Sequence, residues 1–247
     1  MPESTVCLTF DFDAMSVWFG FDHVTPAMLQ RGEYGARVAV PRLLQMLDAE
    51  GIPATFFIPG HTIDSFPDPC RDIVAAGHEV AAHSYAHQDP SGQTESEERR
   101  DMEFALDALD RLGVRPVGFR SPSADMSPVT LDILEHQGFL YDSSLMADDF
   151  KPYRPRIGDK VSATRPLERG REARLWELPM SFELDDWPHF QFTFSPYRAG
   201  LSAPSKVLEI WQGEFDFMHS RVEGGFLNVC MHPQVIARGH RMLMLES

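Results

Sequence analysis

Short apolar runs alternate with amphipathic stretches along this chain, and the pattern predicts seven strands separated by helices. The predicted strands cover residues 5–10, 54–58, 78–83, 117–119, 139–141, 175–180 and 226–231. Apolar residues at helical spacing predict helices over 36–51, 68–76, 97–112, 127–138 and within 201–219. A long segment, 16–35, precedes the first predicted helix, and 148–170 has no period and is predicted to be a surface loop.

Strands that alternate with helices are typical of a parallel sheet built from right-handed crossovers. Seven such units in one chain predict an α/β fold, either a barrel or a strongly curved sheet. The carboxyl ends of the strands in a parallel barrel converge on the active site. Polar residues that directly follow the predicted strands are therefore the first candidates for chemistry.

Polar side chains stand at the ends of five of these apolar runs. Residues two apart on a strand point to the same side, so Asp11 and Asp13 can project into one site. Two carboxylates buried together cost free energy unless a cation is present. The other strand-end residues are His83 with the nearby His87, Arg120, Asp142 and His232.

Two histidines and one carboxylate form a common ligand set for a catalytic zinc ion with one open position. His83, His87 and one of the two aspartates supply this set. The second aspartate is then free to act as a base. Metal-assisted hydrolysis requires this division, because a Lewis acid polarises the carbonyl while a base takes the proton from water.

Charge and composition exclude several classes of function. The chain has 247 residues, of which 37 are acidic and 22 basic, for a net charge of -15. Nucleic acids and anionic membrane surfaces both require a basic face, so neither is an expected partner. The three cysteines lie far apart in sequence, which indicates a reducing compartment. With no leader pattern and no long apolar span, the sequence predicts a cytoplasmic protein.

Four short motifs together resemble those of the polysaccharide deacetylase family, the NodB-type enzymes of carbohydrate esterase family 4. They are TFDFDA at 9–14, HSYAH at 83–87, FRSP at 119–122 and MHP at 231–233. They occur in the family's order and cover nearly the whole chain. The resemblance implies a distorted (β/α)7-type barrel and metal-dependent hydrolysis of amides. It also implies one catalytic domain over 1–247 that stops before the family's last helix and strand.

The resemblance further implies a role for each matching residue. Asp11 matches the catalytic base, and Arg120 matches the arginine that pairs with it. His232 matches the general acid that protonates the leaving amine. The implied metal is Zn²⁺, with Co²⁺ or Ni²⁺ as alternatives, and its ligands match Asp13, His83 and His87.

Departures from the common motifs leave the substrate open. Phe12 separates the two acids, and the segments GEYGARVAVPRLL and HPQVIARGHR resemble a subgroup with allantoinase-like and cyclic-imide-hydrolysing members and some peptidoglycan deacetylases. The substrate is expected to be an N-acetylated amino sugar or, alternatively, a small cyclic imide or ureide. A cytoplasmic location favours the second. A non-catalytic ligand-binding barrel is the third hypothesis, and a homo-oligomer is compatible with all three.

Three further residues are candidates for the walls of the pocket. Asp142 is expected either to face the site, where it would raise the pKa of His232, or to cap a turn. Trp187 lies with Asp185 and Asp186 on the loop after the sixth predicted strand. His189 follows on the same loop.

Overall fold

Seven parallel strands form one curled sheet with helices packed around it, and two small antiparallel pairs lie outside this sheet. The computed structural model describes residues 4–20, 23–192 and 201–247. The strands are Thr5–Asp11 (β1), Thr55–Ile58 (β2), Glu79–Ala82 (β3), Gly118–Phe119 (β4), Tyr141–Asp142 (β5), Arg156–Ile157 (β6), Lys160–Ser162 (β7), Arg165–Glu168 (β8), Arg171–Glu172 (β9), Trp176–Glu177 (β10) and Phe226–Met231 (β11).

The order of strands in the curled sheet is β10-β5-β4-β3-β2-β1-β11. On β1, Phe10 lies opposite Phe56 of β2 on one side and Met231 of β11 on the other. All seven predicted strands are present, and the predicted α/β fold with a strongly curved parallel sheet is confirmed. The carboxyl ends of the strands therefore share one edge of the sheet.

The two outer strands of the sheet, β10 and β11, approach each other without forming a ladder. An isolated parallel bridge joins Asp185, in the segment after β10, to Cys230 of β11. We call this junction the seam. It leaves the sheet a partly closed barrel rather than a continuous one.

Amphipathic helices cover the outer surface of the sheet. Pro204–Arg221, for example, buries Val207, Trp211 and Met218. None of the helices in the described part of the chain combines the length and the apolar character needed to cross a membrane. The helices are Pro26–Tyr34 (α1), Val40–Glu50 (α2), Gly60–Ser65 (α3), Pro67–Ala75 (α4), Glu95–Arg111 (α5), Thr130–Gln137 (α6), Asp186–Phe190 (α7), Pro204–Arg221 (α8), Pro233–Ile236 (α9) and Gly239–Leu245 (α10).

The apolar pattern did not predict α1, the short helices α3, α7 and α9, or the strands β6 to β9. Helix α1 lies within 16–35, and a π-helical turn over Gly35–Ala39 connects it to α2. Of its residues, Gly32 is the buried one, so α1 has no apolar stripe to reveal it. The predicted loop 148–170 contains β6, β7 and β8, whose residues are mostly exposed and so show no alternation of apolar and polar positions.

Candidate active site and metal centre

The backbone is strained in the segments that follow the carboxyl ends of β1, β3 and β4. Ala14, Ser84, His87, Ser123 and Ala124 all have φ between 50° and 60°, in the left-handed region that costs a residue with a Cβ about 1 kcal/mol. Hydrogen bonds hold these turns: the His87 N–H donates to the Ser84 hydroxyl at 3.0 Å. Strain of this kind persists where surrounding structure fixes the position of a functional group.

Asp13, His83 and His87 come together at the ends of β1 and β3. The Asp13 Oδ1 atom lies 3.4 Å from His83 Nε2 and 3.7 Å from His87 Nε2. One ligand atom from each residue falls within 4.8 Å of the others, the arrangement needed to hold a metal ion. His83 Nδ1 contacts the Arg120 carbonyl at 2.7 Å, which assigns the proton to Nδ1 and leaves Nε2 free as a lone-pair donor.

The hydrogen bonding of this group fits a cation. Both Asp13 carboxylate oxygens and His83 Nε2 are buried without a hydrogen-bond partner among the described residues. Unpaired buried groups are costly, and a divalent cation would satisfy all three atoms at once. Burial lowers the pKa of His87 to about 4, so its ring is neutral, as a metal ligand must be.

Asp11 forms a buried ion pair with Arg120. The Arg120 Nη1 donates to Asp11 Oδ1 at 2.7 Å, and both side chains are almost fully buried. Burial alone would raise the pKa of Asp11, but Arg120, helped by His83 and His232, lowers it to about 2. Asp11 is therefore ionised and can accept a proton.

Every nitrogen of the Arg120 guanidinium donates to the protein itself. Besides Asp11, it donates from Nε to the Ser143 carbonyl at 2.9 Å and from Nη2 to the hydroxyls of Thr9 and Ser143, both at 3.0 Å. Nη1 also contacts the Cys230 sulfur at 3.4 Å. The guanidinium packs 4.1 Å from the centre of the Phe57 ring. These contacts fix the position of the guanidinium, which in turn fixes the orientation of the Asp11 carboxylate.

His232 lies on the other side of Asp13, with its Nε2 3.8 Å from Asp13 Oδ2. Its Nδ1 contacts Asp186 Oδ1 at 2.8 Å, and its backbone N–H donates to both Asp186 oxygens at 3.1 Å. Burial lowers the pKa of His232, but the bond to Asp186 and the charges of Asp186, Asp185 and Asp13 raise it to about 10. His232 is therefore protonated at neutral pH and can donate from Nε2.

A cavity of about 420 Å³ opens onto these residues. Trp187 forms one wall, and its ring centre lies 5.0 Å from that of His232. The predicted site residues that line the cavity are Asp11, His83, His87, Arg120, Trp187 and His232.

Two predicted pocket residues lie outside this cavity lining. Asp142 is fully buried behind it, where it accepts from the Ser144 N–H at 3.0 Å and from the Ser144 hydroxyl at 2.8 Å. Asp142 thus caps a turn, the alternative that the sequence left open. His189 is half-buried, and its Nε2 contacts the Glu183 carbonyl at 3.0 Å.

The carboxylate that contacts His232 is not the candidate that the sequence offered. Asp186, not Asp142, makes the contact, because the segment after β10 folds back across the seam to β11. The signal was present, since Asp185 and Asp186 follow an apolar run as the other strand-end acids do. Asp185 Oδ1 is occupied by the Trp187 N–H at 2.8 Å.

A second group of potential ligands, Asp185, Cys230 and His232, lies beside the first. Its atoms are already engaged: His232 Nδ1 bonds Asp186, and Cys230 contacts the Arg120 cation. A positive guanidinium next to a metal ion is unfavourable. The Asp13 group is the better metal site.

Comparison with known proteins identifies relatives along almost the whole chain. Residues 1–141, more than half of the chain, match the family model Polysaccharide deacetylase. A peptidoglycan deacetylase of Helicobacter pylori is 34% identical over 259 residues, covering 99% of this chain and 88% of that protein.

Solved structures agree with these sequence matches. A Mycobacterium smegmatis protein assigned to the polysaccharide deacetylases superposes with a TM-score of 0.86 at 36% identity, covering 99% of this chain and 82% of that one. The allantoinase Puue superposes with a TM-score of 0.78, covering 99% of this chain and 82% of that one. At 23% identity, this similarity shows a shared fold alone. By its matched residues and its identity to these relatives, this chain belongs to the polysaccharide deacetylase family.

Proposed function

We propose that this chain is a metal-dependent hydrolase that removes N-acetyl groups from amino-sugar residues of a polysaccharide. The observation that carries the proposal is the buried Asp13 carboxylate, whose oxygens face two histidines on one side and His232 on the other. The Helicobacter pylori relative is named a peptidoglycan deacetylase, which supports an amino-sugar amide as the substrate.

Asp13, His83 and His87 would hold the metal. A divalent cation, Zn²⁺ in the first place and Co²⁺ or Ni²⁺ as alternatives, would supply a Lewis acid to the amide carbonyl and the attacking water. Asp11 takes the proton from that water, because Arg120 keeps the carboxylate ionised and in a fixed orientation.

His232 acts at the other end of the reaction. An amine leaves poorly from a tetrahedral carbon until its nitrogen is protonated, so the C–N bond breaks as His232 Nε2 gives up its proton. Asp186 fixes the ring by accepting from Nδ1. Water thus adds to the carbonyl carbon, and the C–N bond breaks. The acetate that departs carries the oxygen of the water, and the sugar keeps its nitrogen as a free amine.

The proposal is tested by a hydrolysis screen on metal-free protein reloaded with Zn²⁺, Co²⁺ or Ni²⁺. Acetate release from N-acetylglucosamine oligomers is the expected result, and Asp13→Asn protein treated identically is the matched control. The second arm contains small cyclic imides and allantoin, because the motifs resemble the imide-hydrolysing subgroup and a cavity of about 420 Å³ admits a small ring.

The outcomes separate the three hypotheses. Ring opening without acetate release would replace the deacetylase proposal with the imide or ureide one. Absence of bound metal, with no hydrolysis in either arm after reloading, would favour a non-catalytic binding barrel.

A further inference from the structure

A second cavity, of about 180 Å³, lies beyond the tryptophan wall of the candidate active site. Trp18 lines it, and the Trp18 ring centre is 5.7 Å from that of Trp187. No residue to which we assign a catalytic or ligand role lines this cavity. We call it the arginine cavity, because Arg31 of α1, Arg238 and Arg241 of α10 all line it.

The three guanidinium groups are held by carbonyl oxygens and aromatic rings. Arg31 donates to the Phe192 carbonyl at 2.9 Å, and Arg241 donates to the carbonyls of Val235 and Phe190 at 2.6 and 3.1 Å. Arg238 lies 3.6 Å from the centre of the Tyr34 ring. These contacts fix the cations in place without neutralising their charge.

The cations also repel each other. Burial lowers the pKa of Arg31 and of Arg241, and the positive charge of Arg238 lowers both further. The charge of Asp186 acts on Arg241 in the opposite direction, but Asp186 is already bonded to His232. Within the described ranges, none of the three arginines forms an ion pair with a carboxylate. The cavity therefore carries an excess of positive charge.

Buried polar atoms in the wall point to a missing partner. Gln234 is 5% exposed, and neither its Oε1 nor its Nε2 has a hydrogen-bond partner among the described residues. Arg241 is 6% exposed, and its Nε is likewise without a partner in the described part of the chain. An oxygen-rich ligand would satisfy the two nitrogen donors that the protein leaves unpaired.

We propose that the arginine cavity binds a small oxyanion, a carboxylate or a phosphate group, held by Arg31, Arg238, Arg241 and Gln234. Its volume suits an ion or a single anionic substituent and not a sugar ring with its neighbours. Arginine forks match the paired oxygens of both anions. The site is independent of the proposed function, so either can fail without the other.

The experiment measures thermal unfolding of the purified chain in sodium acetate and sodium phosphate, with sodium chloride at matched ionic strength. A ligand that binds the folded state raises the midpoint in a saturable way. In wild type we expect such a rise with acetate, for a carboxylate site, or with phosphate, for a phosphate site. Because acetate is also a product of the proposed reaction, a response is assigned to the arginine cavity only where the variants of this cavity weaken it. Isothermal titration with the same anion then gives the dissociation constant.

Three variants make the test specific. Arg31→Gln and Arg238→Gln each remove one half-buried cation, and we expect binding about tenfold weaker in each, as for loss of a charge-assisted hydrogen bond. Arg115→Gln removes an exposed arginine far from the cavity lining and should bind as wild type does. Gln234→Glu places a carboxylate in the cavity, so we expect a higher midpoint without added anion and no further rise with it.

Two results overturn the proposal. The first is a failure of both acetate and phosphate to show saturable binding to wild type. The second is an equal anion response in wild type, Arg31→Gln, Arg238→Gln and Gln234→Glu, which is the mark of a general salt effect. Should one arginine variant fold poorly, the other and Gln234→Glu still decide between these outcomes.

Discussion

Asp11 and Asp13 are chemically identical side chains two positions apart, yet their surroundings differ, and we propose different roles for them. Asp11 accepts a hydrogen bond from an arginine, whereas Asp13 faces three histidine rings and accepts no side-chain hydrogen bond among the described residues. A carboxylate already neutralised by arginine is a weak metal ligand but a well-oriented base. One nearly isosteric substitution made at both positions therefore separates the two roles.

We expect Asp11→Asn to retain its metal while turnover falls about 10²-fold or more, the scale of losing a general base. Asp13→Asn should instead lose metal and activity together, because it removes one of the three proposed protein ligands. Metal content by mass spectrometry and steady-state kinetics provide the two measurements. An empty site in Asp11→Asn with a full one in Asp13→Asn would mean that the two aspartates have exchanged roles.

In the proposed mechanism, the contact between His232 and Asp186 sets the alkaline limit of activity. A general acid works only while protonated, so the rate falls as pH rises through the pKa of His232, which the structure raises to about 10. Removing the Asp186 charge lowers that pKa. We therefore expect Asp186→Asn to move the alkaline limb of kcat to lower pH by about one unit or more.

Asp185→Asn is the matched control for this shift. Asp185 Oδ1 is 3.6 Å from His232 Nδ1, compared with 2.8 Å for Asp186, so its effect should be smaller. His232→Ala should abolish the alkaline limb and reduce turnover while metal content is unchanged. A limb that stays in place in both Asp186→Asn and His232→Ala would exclude His232 as the acid.

At the scale of elements, strands β5 and β10 bring two buried carboxyl groups together. Asp142 and Glu177 are directly opposite in register, and both are fully buried. Burial raises the pKa of each, and the charge of Asp142 raises that of Glu177 further. The folded pair therefore retains a proton at pH values where the same groups in the unfolded chain, with pKa values of about 4, have lost theirs.

The sign of the pH effect follows from this retained proton. The folded state binds more protons than the unfolded state above about pH 4, so this pair reduces stability as pH rises towards its raised pKa. Glu177→Gln keeps an oxygen for the Ser144 and Leu145 N–H groups and offers an amide donor to Asp142. We expect the variant to be more stable than wild type at pH 7 by about 1 kcal/mol.

Urea denaturation between pH 4 and pH 8 measures this difference. The wild-type free energy of unfolding should decline more steeply with pH than that of Glu177→Gln. Glu103→Gln, at an exposed position of α5, controls for the loss of one negative charge. Parallel curves for wild type and Glu177→Gln would show that the pair shares no proton in the folded state.

Elements were predictable from the sequence where burial imposes a pattern. The strand β11 is buried along its whole length and is an apolar run interrupted by Asn228 alone. Helix α2 ends just before Gly51, which has a left-handed φ of 65°. A glycine after a run of helical apolar spacing is typical of such a helix end, so the sequence predicted it. Helix α1 and strands β6 to β8 bury too little for any pattern to form, so tertiary contacts and turns define them.

At the scale of the whole molecule, the sheet order explains why distant residues could be grouped from sequence. Asp11 and His232 meet because β1 pairs with β11, and parallel strands bring their carboxyl ends to one edge. The partner of His232 could not be inferred in the same way. Asp142 and Asp186 both follow apolar runs, and the choice between them depends on how the chain crosses the seam.

The seam also suggests how this protein would fail under heat. In the described part of the chain, the sheet edges meet there through one isolated bridge, and the crossing segment carries Asp186. Local opening at such a junction requires less free energy than global unfolding. Heat should therefore separate His232, the proposed proton donor, from Asp186 while the sheet stays intact. The midpoint temperature for loss of residual activity after brief heating should lie several degrees below the midpoint temperature for loss of far-ultraviolet ellipticity. Coincident curves would show that the seam opens only on global unfolding.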